Sequence, residues 1–186
     1  MNLPEFRGAE IDSLLLQRAA QIRLCCFDVD GTLTDGRLWF DAAGEDMKAF
    51  HVHDGQGLRL LEDHGIAVAL ITARDSAVAR RRAQDLRLSH VFTGVKDKRA
   101  CLQTLAERLG VAREEIAYLG DDLPDLSAFA HVGLAAAPAD AHPWVRERAH
   151  WVTAQAGGAG AARALCDLVL EARGLKATVL ARYLEP

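Results

Sequence analysis

The sequence predicts an α/β fold: a doubly wound, Rossmann-like parallel sheet covered by helices on both faces. Short apolar runs alternate with longer runs of helical period, and the apolar runs lack the polar alternation of a half-exposed sheet. Acidic or hydroxyl residues follow several of these runs. Parallel strands joined through helices make right-handed crossovers almost without exception, and ligands of such sheets bind beyond the carboxyl ends of the strands.

The predicted elements follow one another in the order that this fold requires. A helical period at residues 11–21 precedes a continuous apolar run at residues 22–29. Further strand-like runs lie at residues 66–71, 91–93, 116–119 and 132–135. The remaining helical patterns cover residues 57–64, 75–86, 98–109, 124–130 and 161–173.

One segment, residues 36–52, interrupts this alternation. Runs at residues 37–40 and 47–52 flank a turn with glycine at Gly44, which is typical of a β-hairpin. The hairpin follows the first strand, so we expect it to project over the ligand edge of the sheet. The last residues, 174–186, are expected to pack on a subunit surface as a short helix or to lie over a site.

Composition excludes several classes of protein. The chain has 186 residues, of which 50% are apolar and 26% charged, with a net charge of −4; we expect residues 1–186 to form a single domain. The charge balance gives no general attraction for nucleic acid or anionic membranes, and no apolar stretch approaches the roughly 20 residues that cross a bilayer. Without a signal-peptide pattern or Cys-x-x-Cys spacing, a cytoplasmic protein is expected.

The first predicted strand ends in a closely spaced pair of acidic groups. Asp28 and Asp30 are two positions apart, so in extended chain their side chains point the same way. Two such charges repel by about 4 kcal/mol at 4 Å and an effective dielectric near 20, so a cation is expected between them. Mg²⁺ is the natural choice because it prefers oxygen ligands.

The later strand ends add further polar groups at the same edge. Thr72 follows the second of the main runs, Lys98 opens the helix after the third, and acids at Asp121, Asp122 and Asp125 follow the fourth. Each has an ordinary structural explanation when taken alone, as a helix N-cap, a turn residue or a solvated lysine. Their combination at one edge favours a functional site.

This ensemble resembles the four-part signature of the haloacid dehalogenase-like phosphatases. The matching residues are Asp28-Val29-Asp30-Gly31-Thr32, Thr72, Lys98 and Gly120-Asp121-Asp122-x-x-Asp125. The resemblance implies that Asp28 attacks phosphorus, that Asp30 protonates the leaving group and then activates water, and that Thr72 and Lys98 hold the phosphoryl oxygens. It also implies a Mg²⁺ site made by Asp28, Asp121 and the Asp30 carbonyl. A carboxylate approaches a phosphate dianion only when their repulsion is screened, which Mg²⁺ and Lys98 achieve.

The motif spacing leaves no room for a cap domain. Only 44 positions separate Asp28 from Thr72 and 26 separate Thr72 from Lys98. After the core helices and strands are subtracted, the first interval holds only the hairpin. An uncapped site is either open to a macromolecule or roofed by another subunit, and the low charge favours the roof.

Over residues 22–173 the chain is most similar to the 3-deoxy-D-manno-octulosonate 8-phosphate phosphatases, a family of uncapped tetramers in lipopolysaccharide sugar synthesis. The matching stretches include residues 27–36, 48–50, 54–57, 71–74, 120–125, 139–143 and 156–158. The resemblance implies a homotetramer in which the hairpin reaches a neighbour's site and the substrate is a sugar-acid phosphate. The residues that it assigns to the substrate are Asp30, His51, Val52, His53, Asp54, Gly55, Arg59, Arg74, Arg82, Lys98 and Asp125. Arginine suits the carboxylate of a sugar acid, although Arg80-Arg81-Arg82 also reads as a solvated helix face.

Three departures from the family pattern keep alternatives open. His53 and Ala159 stand where arginine is usual, and Ala73 replaces a glycine. Two cations are therefore missing, and a nonulosonate 9-phosphate, a sialic acid precursor, is an alternative substrate. A mutase is disfavoured because it needs a closed site, and a catalytically silent assembly module is disfavoured because the signature residues are intact.

Overall fold

Eight strands form two sheets in the part of the chain that the structure describes. It is a computed structural model that describes residues 13–44 and 46–184. The strands are β1 (Leu24–Phe27), β2 (Trp39–Phe40), β3 (Asp46–Met47), β4 (Ala67–Ile71), β5 (His90–Phe92), β6 (Ile116–Leu119), β7 (Leu134–Ala137) and β8 (Trp151–Val152).

The helices lie between and after these strands. They are α1 (Ser13–Ala20), α2 (Val52–Asp63), α3 (Ala77–Asp85), α4 (Lys98–Leu109), α5 (Leu126–Phe129), α6 (Pro143–Arg146), α7 (Ala161–Ala172) and α8 (Lys176–Leu184). Short 3₁₀ turns at Arg113–Glu115 and Leu123–Asp125 precede β6 and α5.

The main sheet has the order β5-β4-β1-β6-β7-β8, and all of its pairings are parallel. The first strand, β1, therefore lies between β4 and β6, with Leu24 opposite Ala67 on one side and Ile116 on the other. The chain runs outward from β1 in both directions, which confirms the predicted doubly wound parallel sheet.

Two buried layers of side chains explain why the strands read as continuous apolar runs. Cys25 and Phe27 of β1 pack into the layer beneath α1, α2 and α7. Leu24 and Cys26 point the other way, into the layer with α4 and α5. Because both faces of the sheet are covered, alternation along each strand is lost.

The predicted hairpin is present, and it pairs β2 with β3 in antiparallel register with Trp39 opposite Met47. Its second run ends at Met47, so the predicted extension to residue 52 is wrong. The chain turns into α2 at Val52, five residues earlier than predicted. The glycines at positions 55 and 57 lower helix propensity, but α2 packs along α7 and this contact outweighs the local preference.

The short elements α6 and β8 were not predicted, because their apolar runs are too brief to show a period. The described part of the chain returns from the hairpin directly into α2, so no cap domain lies between Asp28 and Thr72 among the described residues. The tail forms α8 on α7, with Val179 buried. Residues 11–12 of the first predicted helix and residues 185–186 of the tail lie outside the described residues. No helix in the described ranges is long and apolar enough to cross a bilayer.

Candidate active site

The predicted polar groups meet at the carboxyl edge of the main sheet. Asp28 directly follows β1, Thr72 follows β4, and Asp121 lies two residues beyond β6. Because these three strands are adjacent, their ends open into one cavity of about 320 Å³. The predicted site residues that line it are Asp28, Asp30, Thr72, Arg74, Lys98, Asp121 and Asp125.

Lys98 joins two carboxylates at the floor of this cavity. It is the first residue of α4, a position fixed by Asp97, whose side chain caps the helix by accepting from the Ala100 amide at 3.0 Å. The Lys98 ammonium donates to Asp28 Oδ1 and to Asp125 Oδ1, both at 2.6 Å. Lys98 and both acids are buried, with Lys98 itself only 4% exposed. A buried ammonium with two anionic partners is held in one place.

Asp125 fixes the loop after β6 through hydrogen bonds to both oxygens of its carboxylate. Its Oδ1 accepts from the Tyr118 hydroxyl at 2.9 Å as well as from Lys98. Its Oδ2 accepts from the backbone amides of Asp121 at 3.1 Å and Asp122 at 3.3 Å. Both oxygens are therefore engaged, and they fix the direction in which the loop leaves the sheet.

Asp121 reaches the loop that follows β1. The Thr32 hydroxyl donates to Asp121 Oδ1 at 3.0 Å. Asp121 Oδ2 lies where a side chain on Gly31 would stand: a Cβ there would be 2.1 Å from this oxygen, and Gly31 has φ +88°. Only glycine allows the two loops to come this close.

The loop at residues 157–160 packs against the loop that follows β1. The amide of Gly158 donates to the Thr32 carbonyl at 3.0 Å. A Cβ on Gly157 would lie 1.8 Å from the Gly31 carbonyl oxygen, so this approach also requires glycine. The glycine-rich stretch therefore helps to hold the loop after β1 in its place at the site.

Burial and mutual repulsion shift the pKa values of the acids. Burial raises the pKa of Asp28 well above its usual range, the charge of Asp125 adds to the rise, and the Lys98 ammonium opposes it. Burial, with the charge of Asp125, raises the pKa of Asp121 to about 6, despite the hydrogen bond from Thr32. Burial would lower the pKa of Lys98, but the charges of Asp28 and Asp125 outweigh it and raise the pKa. Three carboxyls therefore share one ammonium, and the site favours an additional cation.

The donor set fits a hard divalent cation. Carboxylate oxygens of Asp28, Asp121 and Asp125 lie within 4.8 Å of one another. Since both oxygens of Asp125 already accept hydrogen bonds, Asp28 and Asp121 are the better placed ligands. An all-oxygen set with net negative charge suits Mg²⁺.

Other residues that the resemblance assigned to the substrate lie elsewhere in the same chain. Asp54 is buried, and its carboxylate accepts from the amides of Gly160 at 3.3 Å and Arg163 at 2.7 Å, at the start of α7. Arg59 donates to the Leu86 carbonyl at 3.0 Å and to Asp63 at 2.6 Å. A second, very small cavity is lined by His51, Asp54, Gly55 and Arg82, while Val52 and His53 are exposed at the start of α2. Their contact with a substrate stays a prediction.

Three residues in contact with the site acids were not predicted as site residues. Tyr118 lies in a predicted apolar strand, where the need of a buried hydroxyl for a partner is the available signal. Thr32 belongs to the recognised motif, but the spacing of the motif does not indicate that its hydroxyl donates to Asp121. Lys48 pairs with Asp30 from the end of the hairpin, and nothing in the local sequence indicates that contact.

The fold and the site together define a haloacid dehalogenase-like hydrolase, and the family model of that description matches residues 91–165. A Yersinia pestis protein named 3-deoxy-D-manno-octulosonate 8-phosphate phosphatase KdsC is 45% identical over 159 residues, which are 86% of this chain and 85% of that protein. The chain belongs to the 3-deoxy-D-manno-octulosonate 8-phosphate phosphatase family.

Solved structures agree with this assignment. A hypothetical protein from Xanthomonas campestris is 52% identical with a TM-score of 0.94, covering 98% of this chain and 100% of that one. The family's phosphatase from Moraxella catarrhalis, crystallised with magnesium ion, phosphate ion and KDO, is 39% identical with a TM-score of 0.86. That match covers 89% of this chain and 96% of the Moraxella chain.

Proposed function

We propose that this protein is a Mg²⁺-dependent phosphomonoester hydrolase that acts on 3-deoxy-D-manno-octulosonate 8-phosphate in lipopolysaccharide precursor synthesis. The observation that carries the proposal is the buried bridge from Lys98 to Asp28 and Asp125, next to Asp121 in one cavity. The relatives support the substrate: one carries this activity in its name, and another was crystallised with KDO, phosphate and magnesium.

Asp28 is proposed as the nucleophile. Its carboxylate forms a bond to phosphorus while the bond from phosphorus to the sugar oxygen breaks, and Asp30 gives a proton to that oxygen. In the second step Asp30 takes a proton from water as the water oxygen attacks phosphorus, and the bond to Asp28 breaks. Inorganic phosphate then leaves, and Asp30 is protonated again by the proton that it took from water.

The other site residues bind and orient the phosphoryl group. Lys98 and the Thr72 hydroxyl are proposed to hold its oxygens, because both reach the cavity beside Asp28. Mg²⁺ held by Asp28, Asp121 and the Asp30 carbonyl supplies charge neutralisation that lets the anions approach. Phosphate monoesters hydrolyse extremely slowly in water, so positioning and charge stabilisation must lower most of the barrier.

Arg74 is the proposed contact for the sugar carboxylate. Among the three arginines that the sequence singled out, Arg74 lines the main cavity, whereas Arg59 is bound to Leu86 and Asp63. The guanidinium carbon of Arg82 lies over the Phe50 ring, 5.6 Å from its centroid, beside the smaller cavity. A guanidinium at Arg74 offers a two-pronged donor for a carboxylate.

We further propose a homotetramer in which the hairpin covers a neighbouring site. The hairpin side chains Leu38, Trp39, Phe40 and Met47 are each 45–55% exposed, and Leu38 lines the open cavity. Exposed apolar side chains grouped on one element are typical of an interaction surface. Such an arrangement gives His51–Gly55, Arg59 and Arg82 a route to a neighbour's substrate. Light scattering tests it: an active monomer would contradict the assembly.

A cytoplasmic location and a single domain over residues 1–186 complete the proposal. All four cysteines are free thiols, and three of them are buried, which suits a reducing compartment.

The experiment is a turnover panel that measures phosphate release with Mg²⁺. It compares 3-deoxy-D-manno-octulosonate 8-phosphate, a nonulosonate 9-phosphate and sugar phosphates without a carboxylate. We expect the first substrate to have the highest kcat/KM, Asp28→Asn to abolish turnover, and Asp85→Asn, an exposed aspartate on α3, to preserve it. Arg74→Met should lower kcat/KM for the sugar acids alone. Equal rates on all substrates would contradict the substrate assignment.

A further inference from the structure

Lys48 has a buried side chain whose charge the proposed mechanism does not use. It directly follows β3, and only 1% of its side chain is exposed. Lysine is rarely buried this completely unless it is paired, because removing an ammonium from water is costly. Its partners therefore explain its position.

Those partners come from two parts of the fold. The Lys48 ammonium donates to Asp30 Oδ1 and lies 3.5 Å from Asp46 Oδ2. The Asp46 carboxylate in turn accepts from the Ser76 hydroxyl at 3.1 Å, and Ser76 caps α3 by accepting from the Ala79 amide at 3.2 Å. Lys48 is thus anchored on one side by the hairpin and α3, and it holds Asp30 on the other.

This contact leaves the two oxygens of Asp30 in different surroundings. Oδ1 is engaged by Lys48, whereas Oδ2 is buried and has no hydrogen-bond partner among residues 13–44 and 46–184. The carboxyl group is therefore fixed in one rotation, with a defined free oxygen. The neighbouring Asp28 has its own ammonium, Lys98, so each member of the carboxylate pair is held by a separate lysine.

We propose that Lys48 is a positioning residue that holds Asp30 so that Oδ2 carries the transferred proton. The inference rests on the proposed function, in which Asp30 protonates the leaving oxygen. As the Asp28–phosphorus bond forms and the phosphorus–alkoxide bond breaks, the proton on Oδ2 passes to the departing oxygen. Without the Lys48 contact the Asp30 carboxyl group rotates freely. Oδ2 then faces the leaving oxygen in a smaller fraction of the enzyme–substrate complexes.

The test exploits the fact that leaving groups differ in their need for a proton. A sugar alkoxide needs one, whereas p-nitrophenolate departs without it. We expect Lys48→Met to lower kcat/KM for the sugar phosphate by about 100-fold, a typical contribution of general acid catalysis. For p-nitrophenyl phosphate we expect a loss of less than about threefold, because kcat/KM covers only the steps up to departure of the leaving group and p-nitrophenolate departs without a proton. Lys176→Met, a change of an exposed lysine on α8, should leave both values unchanged.

Further variants separate positioning from a general structural role. Asp30→Asn should show the same selectivity between the two esters, and adding Lys48→Met to it should cost little more, since both changes remove one function. Lys48→Arg keeps the cation and should recover at least about tenfold of the sugar phosphate rate. If Lys48→Met fails to fold, Asp46→Asn loosens the same ammonium and should give the same selectivity to a smaller degree.

Two results would overturn the inference. The first is an equal loss for both esters in Lys48→Met, which indicates general damage to the site. The second is a crystal structure of Lys48→Met in which the Asp30 carboxyl keeps its rotation, a readout that does not depend on turnover. If the wild-type protein prefers another sugar phosphate, the substrate proposal fails, but the comparison of leaving groups stands on whichever alkyl ester it hydrolyses.

Discussion

Replacing Gly157 by alanine tests whether the loop at residues 157–160 holds the site together. A Cβ at this position would lie 1.8 Å from the Gly31 carbonyl oxygen and 2.6 Å from its carbon, and such contacts below 3.0 Å do not persist. The backbone on one side must therefore move by at least about 1.2 Å. Because the moving segment adjoins Asp30, a displacement of this size should lower kcat/KM by about 100-fold.

Stability should fall as well, by about 2 kcal/mol, since overpacking against backbone costs about 1–3 kcal/mol. For a chain of this length that corresponds to a Tm about 4–8 °C lower. Gly65→Ala is the control: Gly65 has φ +75° but no neighbour within 4 Å of an added Cβ. It should lose about 1–2 kcal/mol from backbone strain with kcat/KM unchanged. If Gly157→Ala keeps full activity, the loop does not position the catalytic segment.

Two further predictions concern the buried polar network and the metal. Tyr118→Phe should lower the free energy of unfolding by about 1.5–3 kcal/mol, because its hydroxyl donates to the Asp125 carboxylate in a buried site. In the metal-free protein the pKa of Asp121 is raised to about 6 and that of Asp28 is also raised, so the folded state holds more protons than the unfolded state. Its free energy of unfolding should therefore fall as pH rises from about 4 through about 6, and Mg²⁺ should raise Tm more at about pH 7.5 than at about pH 5, since binding displaces those protons.

Each of these has a matched comparison. Tyr183→Phe removes an exposed hydroxyl that accepts from Gln56, and it should change stability by less than about 0.5 kcal/mol. Equal effects of the two tyrosine changes would show that the Asp125 contact is not stabilising. A larger Mg²⁺-induced rise in Tm at the lower pH would show that the cation does not bind through these acids.

The parts of the site that lie at strand ends were predictable from sequence. Asp28, Thr72 and Asp121 each lie at the end of a short apolar run. In a parallel sheet such positions converge at one edge, and this convergence does not depend on the conformation of the loops. Lys98 was predictable with them because α4 begins where the chain leaves that edge. The placement of these residues depends on the strands being parallel, which the alternating pattern predicts.

Contacts made by elements that fold back over the sheet were not predictable. Lys48 meets Asp30 only because the hairpin returns across the edge. Asp54 was itself assigned to the substrate, yet its carboxylate accepts from the Arg163 amide at the start of α7, more than a hundred residues later in the chain. The onset of α2 was missed for a similar reason, since its glycines are tolerated by packing on α7 rather than by local preference.

The most direct test of the mechanism is to trap the bond at Asp28. A single turnover with Mg²⁺ and substrate is quenched in acid within milliseconds, the protein is reduced with borohydride, and its peptides are sequenced by mass spectrometry. An acyl phosphate at Asp28 would be reduced to homoserine, and we expect that change at position 28 in the wild-type protein. Phosphate release with an unmodified residue 28, or with the change at another aspartate, would contradict nucleophilic attack by Asp28.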